Sequence, residues 1–380
     1  MKLLSSLIIA SSLLVAQNTF EKRFGGQGED IGKAVLVLDD GYLVGGDTKS
    51  FGRVQSDSYF IKLNNNGNKV WSRAMGGDSE DTLEAILPIK DGFIFTGATK
   101  SFGDAISNLY VGRLSKDGQN EWMQGLYLDR NDHYAGFDLA KINDNYAMVA
   151  GSHKQSKLFS SNLDARLDAV GVDGDHTFGI SFGGEDEEEL RSIIKTADGY
   201  VLAGYTESYG KGNKDIYINR IDNDARRIWH RTFGFNEDET ANEIIATKEG
   251  GFIVVGNTSS VPELSKQIYV VKMDSKGGKI WDGHYGYKSD EEGRGIIEVE
   301  DGYVIVGYTR STDQRGADVY LLKLDRNGNR VWQRTYGGVE DDEGFAIAKT
   351  ADGMIITGYT TDKDKDEEVY ILKLDKHGKL

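Results

Sequence analysis

The sequence predicts an all-β chain folded as a seven-bladed β-propeller of four-stranded antiparallel blades. Three observations carry that expectation. A stretch of the type Asp301-Gly302-Tyr303-Val304-Ile305-Val306-Gly307-Tyr308-Thr309 returns seven times, with Tyr42, Phe93, Tyr146, Tyr200, Phe252, Tyr303 and Met354 in equivalent places at steps of 51, 53, 54, 52, 51 and 51 residues. A fixed period of about 50 residues, filled with short strands, marks propellers and related arrays. The 48 Gly and only 2 Pro suit many tight turns and no proline-rich linker. Finally, the last repeat stops at Leu380, just after its third strand and a turn, and the missing strand stands at the other end. Thr19-Phe20-Glu21-Lys22-Arg23-Phe24-Gly25-Gly26 matches Val331-Trp332-Gln333-Arg334-Thr335-Tyr336-Gly337-Gly338 position by position. The mature N-terminal strand is therefore expected to close the ring, which removes exposed sheet edges.

Taken in order, the chain opens with a separate signal. Met1-Lys2 is positive and Leu3 to Ala16 is apolar with serines. That run is too short for a mature membrane span. It reads as a secretory signal peptide over residues 1–16, with an N-terminal anchor as the alternative. Residues 17–380 then form one propeller domain, expected as a monomer in the periplasm or outside the cell, with no membrane span.

Within a repeat, the last copy is clearest. An acidic loop from Gly337 to Glu343 leads to a first strand, Gly344 to Thr350. A tight Asp352-Gly353 turn follows, a favoured hairpin signal, and then a second strand, Met354 to Thr360. A polar loop reaches the third strand, Val369 to Leu374, and the turn Asp375 to Gly378 points to a fourth. First strands carry small residues (Gly32, Ala34, Ala85, Gly293, Gly295, Gly344, Ala346), which suits the crowded axis. Second and third strands are continuous apolar runs, as strands buried on both faces are. Fourth strands alternate, as in Val331 to Tyr336, and belong at the outer edge.

The repeat Asp325-Arg326-Asn327-Gly328-Asn329-Arg330-Val331-Trp332-Gln333-Arg334-Thr335-Tyr336-Gly337-Gly338, with the Asp301-Gly302-Tyr303 strand, resembles those of secreted bacterial and archaeal β-propeller-repeat proteins. Its Leu-Asp-x-x-Gly-x-x-x-Trp part is similar to PQQ-like propeller repeats. The resemblance covers nearly the whole mature chain and implies the fold, whereas such folds host many roles. The quinone-dependent dehydrogenases it resembles often place neighbouring cysteines at the cofactor, and this chain has no Cys. That argues against a quinoprotein enzyme, and it excludes disulfides and thiolate chemistry. A net charge of −16 makes nucleic acid a poor partner, because phosphate contacts need basic patches.

Tight first-to-second and third-to-fourth turns share one face, so the longer second-to-third and blade-to-blade loops share the other, where function usually sits. Two rings are expected there. One is acidic: Glu29 and Asp30, Glu80 and Asp81, Glu187 and Glu188, Glu239, Asp290 and Glu291, Asp341 and Asp342. Converging carboxylates need donors or cations. They suit Ca²⁺ or Mg²⁺, a basic partner, or backbone N–H groups of their own Gly-Gly loops. The other ring is Thr48, Thr99, Thr206, Thr258, Thr309 and Thr360, read as loop-fixing hydroxyls. Tyr59, Tyr110, Tyr217, Tyr269, Tyr320 and Tyr370 read as packing with satisfied hydroxyls.

The third repeat deviates. His153 takes the Thr place, Asp168 the Tyr place, and His133-Tyr134 the acidic pair, beside a long loop from Lys154 to Asn162. His133 and His153, with Asp132 near, are candidate ligand or metal groups. No Gly-x-Ser-x-Gly, His-Glu-x-x-His or phosphate-cradling loop is present. The function expected is a secreted or periplasmic, non-catalytic binding or scaffold module, whose acidic loop face holds a protein, glycan or cation. The alternative is a hydrolase or lyase with carboxylates at the channel mouth, with or without a divalent cation.

Overall fold

The computed structural model describes residues 18–53, 55–103, 106–126, 132–154, 162–261, 265–311, 316–361, 363 and 366–380. The expected signal peptide and most of the Lys154–Asn162 loop lie outside them. The described strands form seven four-stranded antiparallel sheets set as blades of one ring. Blades 1 to 6 cover residues 30–75, 81–126, 133–182, 188–233, 239–285 and 291–336, each with its strands in chain order from the axis outward. Blade 7 takes three strands from residues 342–375 and its outer strand from Phe20–Phe24, which pairs with Glu367–Asp375 in the register Phe20↔Lys373 to Phe24↔Val369.

Burial follows the predicted strand order. In blade 6, Gly302–Thr309 is buried at every position and Asp318–Asp325 at all but the last, whereas the fourth strand Arg330–Tyr336 is half-buried to exposed. The core is divided among the junctions between blades. Leu43 and Phe60 of blade 1 meet Leu83 and Phe95 of blade 2, and Ile355 and Ile371 of blade 7 meet Val44 and Ile61 of blade 1. Fully burying such a side chain contributes roughly 1.5–3 kcal/mol, so the ring is sealed by packing as well as by strand pairing.

The repeat motif has a packing reason. Trp71 of blade 1 covers the third-to-fourth turn of blade 2, where a Cβ on Gly118 (φ 78°) would meet its ring at 2.7 Å. Trp332 covers Gly378 in the same way, again at 2.7 Å. Glycine thus serves both the left-handed turn and the close approach of the indole from the neighbouring blade.

Each innermost strand carries a one-residue β-bulge, as between Gly32 and Ala34 in blade 1 and between Gly293 and Gly295 in blade 6. The second-strand glycine of the repeat stands opposite. A Cβ at Gly46 or Gly307 would lie 1.8 Å or 1.7 Å from the carbonyl oxygen of Ile31 or Glu292. A bulge leaves one residue unpaired and re-aims its side chain. The seven bulged residues are therefore turned toward the central axis.

Candidate functional site

On the loop face the two members of each acidic pair part company. Asp30, Asp81, Glu188, Glu239, Glu291 and Asp342 are fully buried. Each sits at the start of an innermost strand and accepts an N–H from the loop just before it. Gly26, Gly77, Gly184, Phe235, Tyr287 and Gly338 donate at 2.9, 2.7, 2.8, 2.6, 2.9 and 2.6 Å. In blades 1, 2, 4, 5 and 6 the threonine hydroxyl at the end of the facing strand donates to the other carboxylate oxygen, as Thr206 does to Glu188 at 2.5 Å and Thr309 to Glu291 at 2.8 Å, whereas Asp342 Oδ1 in blade 7 has no hydrogen-bond partner among the described residues. The same threonine oxygen accepts an N–H two residues on, as from Ser50 to Thr48 at 3.0 Å. The inner acids and threonines therefore tie the loop-face rim together, and each carboxylate is solvated by local donors.

The outer acids remain at the surface. Glu29 pairs with Lys49, Glu80 with Lys100, and Asp341 with Arg310 at 2.9 Å. Their side chains stay 49 %, 41 % and 44 % exposed. Glu187 is half-buried. Among the described residues no three His, Asp or Glu side chains are grouped to hold a metal ion.

Blade 3 keeps the rim connection with other groups. Tyr134 occupies the inner-acid place and His153 the threonine place, paired in register, with rings stacked at 4.4 Å and 2°. His153 Nε2 lies 2.8 Å from the Asp132 carboxylate, which takes over the acid's role from two residues upstream. His153 is buried and His133 exposed, so the two histidines do not converge. One expectation needs correcting. Gly151 pairs with Arg166, as Gly204 pairs with Tyr217, so Arg166 and not Asp168 takes the repeated tyrosine's place. The longer preceding loop displaced the sequence alignment by two residues. Arg166 makes a bidentate pair with Asp168 at 2.8 and 2.8 Å, and His176 Nε2 approaches the same carboxylate at 2.8 Å. Gly179 leaves the room, since a Cβ there would fall 2.1 Å from Arg166 Nη2. Of the repeated tyrosines, Tyr110, Tyr269, Tyr320 and Tyr370 donate to Met123, Asp282, Gln333 and Glu21 on the outer strands.

The residues that line the central channel are what sequence reasoning missed. A cavity of about 290 Å³ lies on the axis, lined by residues of all seven innermost strands. The bulged residues Lys33, Glu84, Phe137 and Arg191 reach it from blades 1 to 4, and Asn242, Arg294 and Phe345 from blades 5 to 7. Unlike the rim residues, these keep no one type around the ring, although Phe and Arg each occur twice. The next position is small and apolar in blades 1, 2, 6 and 7, but is Asp138, Ser192 and Glu243 in blades 3, 4 and 5.

Charge in the channel is mostly paired. Lys33 contacts Asp47 at 2.7 Å and Glu84 at 2.6 Å. Arg191 contacts Glu189 at 2.6 Å and donates to Asn242 at 2.8 Å. Arg294 contacts Glu343 at 2.7 Å. Asp138 accepts from Leu139 N, Ile193 N and Ser192 Oγ at 2.7, 2.8 and 3.1 Å. Burial outweighs those donors and pushes its carboxyl up to about 6. Glu243 accepts from Ile296 N, and burial with the nearby Asp138 charge pushes it up to about 8. Glu292 is held below the usual range, the neighbouring Arg294 and Lys266 charges overcoming burial. The channel thus holds carboxyls with well-separated proton affinities.

No protein-family model matches the chain, and no curated protein matches it. Among solved structures the chain is similar to Sqt1 from Chaetomium thermophilum, at 10 % identity and a TM-score of 0.50, covering 90 % of this chain and 82 % of that one. It also matches a Trypanosoma rangeli sialidase in complex with the inhibitor DANA, at 10 % identity and a TM-score of 0.46, covering 93 % and 59 %. The likeness to Sqt1 shows the propeller fold and nothing finer.

Proposed function

We propose that the chain is a secreted or periplasmic binding module that holds a basic protein surface on its loop face. The observation that carries this reading is the division of labour within each acidic pair. The buried acid fixes the rim, and the outer acid is presented from it at a set position. Glu29, Glu80 and Asp341 share that face with exposed Phe51, Phe235 and Tyr287. Acidic groups among exposed aromatics on rigid support suit protein recognition, with charge steering the encounter. Calcium or magnesium would have to use the outer acids, because local donors already fill the inner ones. Melting with Ca²⁺ against EDTA tests that, and an unchanged melting temperature is expected.

The test of the main reading is binding of the mature chain to immobilised lysine-rich and glutamate-rich peptides at about 50 mM and about 300 mM salt, between which screening rises sharply. Binding to the lysine-rich peptide alone supports it, provided that binding weakens with salt and falls in the combined Glu29→Gln, Glu80→Gln, Asp341→Asn variant. Binding no stronger than that of an unrelated protein of equal net charge would overturn it. A second reading, a hydrolase or lyase, draws on Asp138 and Glu243, whose proton affinities differ within one channel. Turnover of a substrate panel that Glu243→Gln abolishes is its test.

A further inference from the structure

The charged groups of the channel come in sets, each a cation held by acceptors. Lys33 sits between Asp47 and Glu84. Arg191 is held by Glu189 and the Asn242 amide oxygen. Arg294 has the fullest set: Glu343 at 2.7 Å, Glu292 at 3.6 Å, and the Phe345 ring, over which its guanidinium carbon lies at 4.0 Å. The wall from blade 3 to blade 5 carries the same kinds of acceptor, with Phe137 at the bulge and Asp138 and Glu243 beside the axis. This fourth set has no cation of its own. Among the described residues no Lys or Arg ion pair reaches Asp138 or Glu243; N–H and O–H donors and burial act on both, and the Asp138 charge acts on Glu243. Glu243 uses Oε2 for Ile296 N, and Oε1 has no donor among the described residues.

We propose that Phe137, Asp138 and Glu243 form a binding site for a small organic cation, a guanidinium or primary ammonium compound that enters the channel and fills this set as Arg294 fills the set at Phe345. The class of ligand follows from the groups. An aromatic face attracts a weakly hydrated organic cation, by about 0.5–2 kcal/mol according to how dry the site is. A hard metal ion instead needs six or so oxygens, and both Asp138 oxygens are already occupied by Leu139 N, Ile193 N and Ser192 Oγ. The cavity, about 290 Å³, has the size of a small-molecule site. The charged groups around it have other carboxylate partners: Arg191 and Arg294 flank Glu243 from blades 4 and 6 and pair with Glu189 and Glu343, Arg294 Nη1 alone having no hydrogen-bond partner among the described residues, and the Lys33–Glu84 pair lies on blades 1 and 2. A cation at Glu243 displaces the proton that burial keeps on this carboxyl, so binding and proton release are coupled.

The experiment is calorimetric titration of the mature chain with agmatine and butylamine, and with butanol as the uncharged control. Saturable one-to-one binding of the cations and none of butanol is expected, on the order of tenfold tighter near pH 8.5 than near pH 6.5. The heat should differ between buffers of unequal ionisation enthalpy, which reports the released proton. Glu243→Gln should weaken binding by about tenfold or more and abolish the buffer dependence. Phe137→Leu should weaken it without touching the buffer dependence, and it keeps the test decisive if the Gln variant does not fold. Glu80→Gln, on the loop face, should change nothing, which separates this site from the protein-binding one. No saturable heat up to about 10 mM of either cation, or binding that both channel variants leave intact, overturns the proposal.

Discussion

The loop-face rim and the central channel are built by the same seven strands, yet they use sequence in opposite ways. On the rim, Asp30 and Asp81 do one job with one set of partners: a loop N–H and a threonine hydroxyl. In the channel, Lys33, Phe137, Asn242 and Arg294 stand at equivalent bulges and share nothing. The difference has a physical root. A rim residue must satisfy fixed backbone donors, so only a carboxylate or a substitute such as the Tyr134–His153–Asp132 group serves. A bulge constrains its own backbone and the opposing glycine, but leaves its side chain free. Repetition here marks what holds the ring together, and variation marks where individual blades specialise.

The largest test of that contrast is Asp81→Ala. It leaves Gly77 N and the Thr99 and Ser101 hydroxyls without their common acceptor. Urea unfolding at neutral pH should show a loss of about 3 kcal/mol, because several donors are stranded together. A loss below about 1 kcal/mol would break the claim that rim acids are structural. Next comes Glu243→Gln, read as stability against pH. Its folded carboxyl is raised from 4.5 to about 8, so the folded chain holds this proton more tightly than the unfolded one. The stabilisation is complete below about pH 4.5 and is lost as pH rises through about 8. The Gln variant should match wild type near pH 5 and exceed it by on the order of 2 kcal/mol near pH 9, after discounting for partial exposure. Equal stability at both ends would remove the electrostatic distinction between channel and rim. The smallest effect is expected for Glu80→Gln, whose pair with Lys100 is about half-exposed, within about 0.5 kcal/mol of wild type. A larger loss would mean that the outer acids also hold the rim.

The seven blades, their strand order and the closing strand were legible because each rests on spacing or on an apolar run, and both survive in one dimension. Thr309 and its equivalents could be read as loop-fixing because they recur with the same neighbours. That Asp30 and Asp81 turn inward while Glu29 and Glu80 stay outside was not legible, since the two acids are adjacent and alternation alone does not tell which faces the loop. The lining of the channel was not legible for a related reason. A bulge adds one residue and sends a side chain to the axis, and nothing in the alternation of Gly32-Lys33-Ala34 announces it. A faint signal was present in the residue between the small ones, which changes at every turn of the repeat. In blade 3 the longer loop shifts the alignment, so spacing alone puts Asp168 where the structure has Arg166.

The outer strand of blade 7, drawn from Phe20–Phe24, gives the ring an unusual order of assembly. Phe20 must find Lys373, about 350 residues along the chain, so the closing contact is among the least local in the molecule. Blades 1 to 6 pair only within themselves and with neighbours, and each can condense as it is made. The seventh needs both of its distant segments before it can pair, so its outer strand joins after the strand it pairs with has been made. Asn18 and the turn Asp375–Gly378 lie on either side of the same seam, as if across one hairpin. A chain joined there and opened at the corresponding turn of another blade should trace the same circle, with the latch moved to a new address and the order of condensation moved with it.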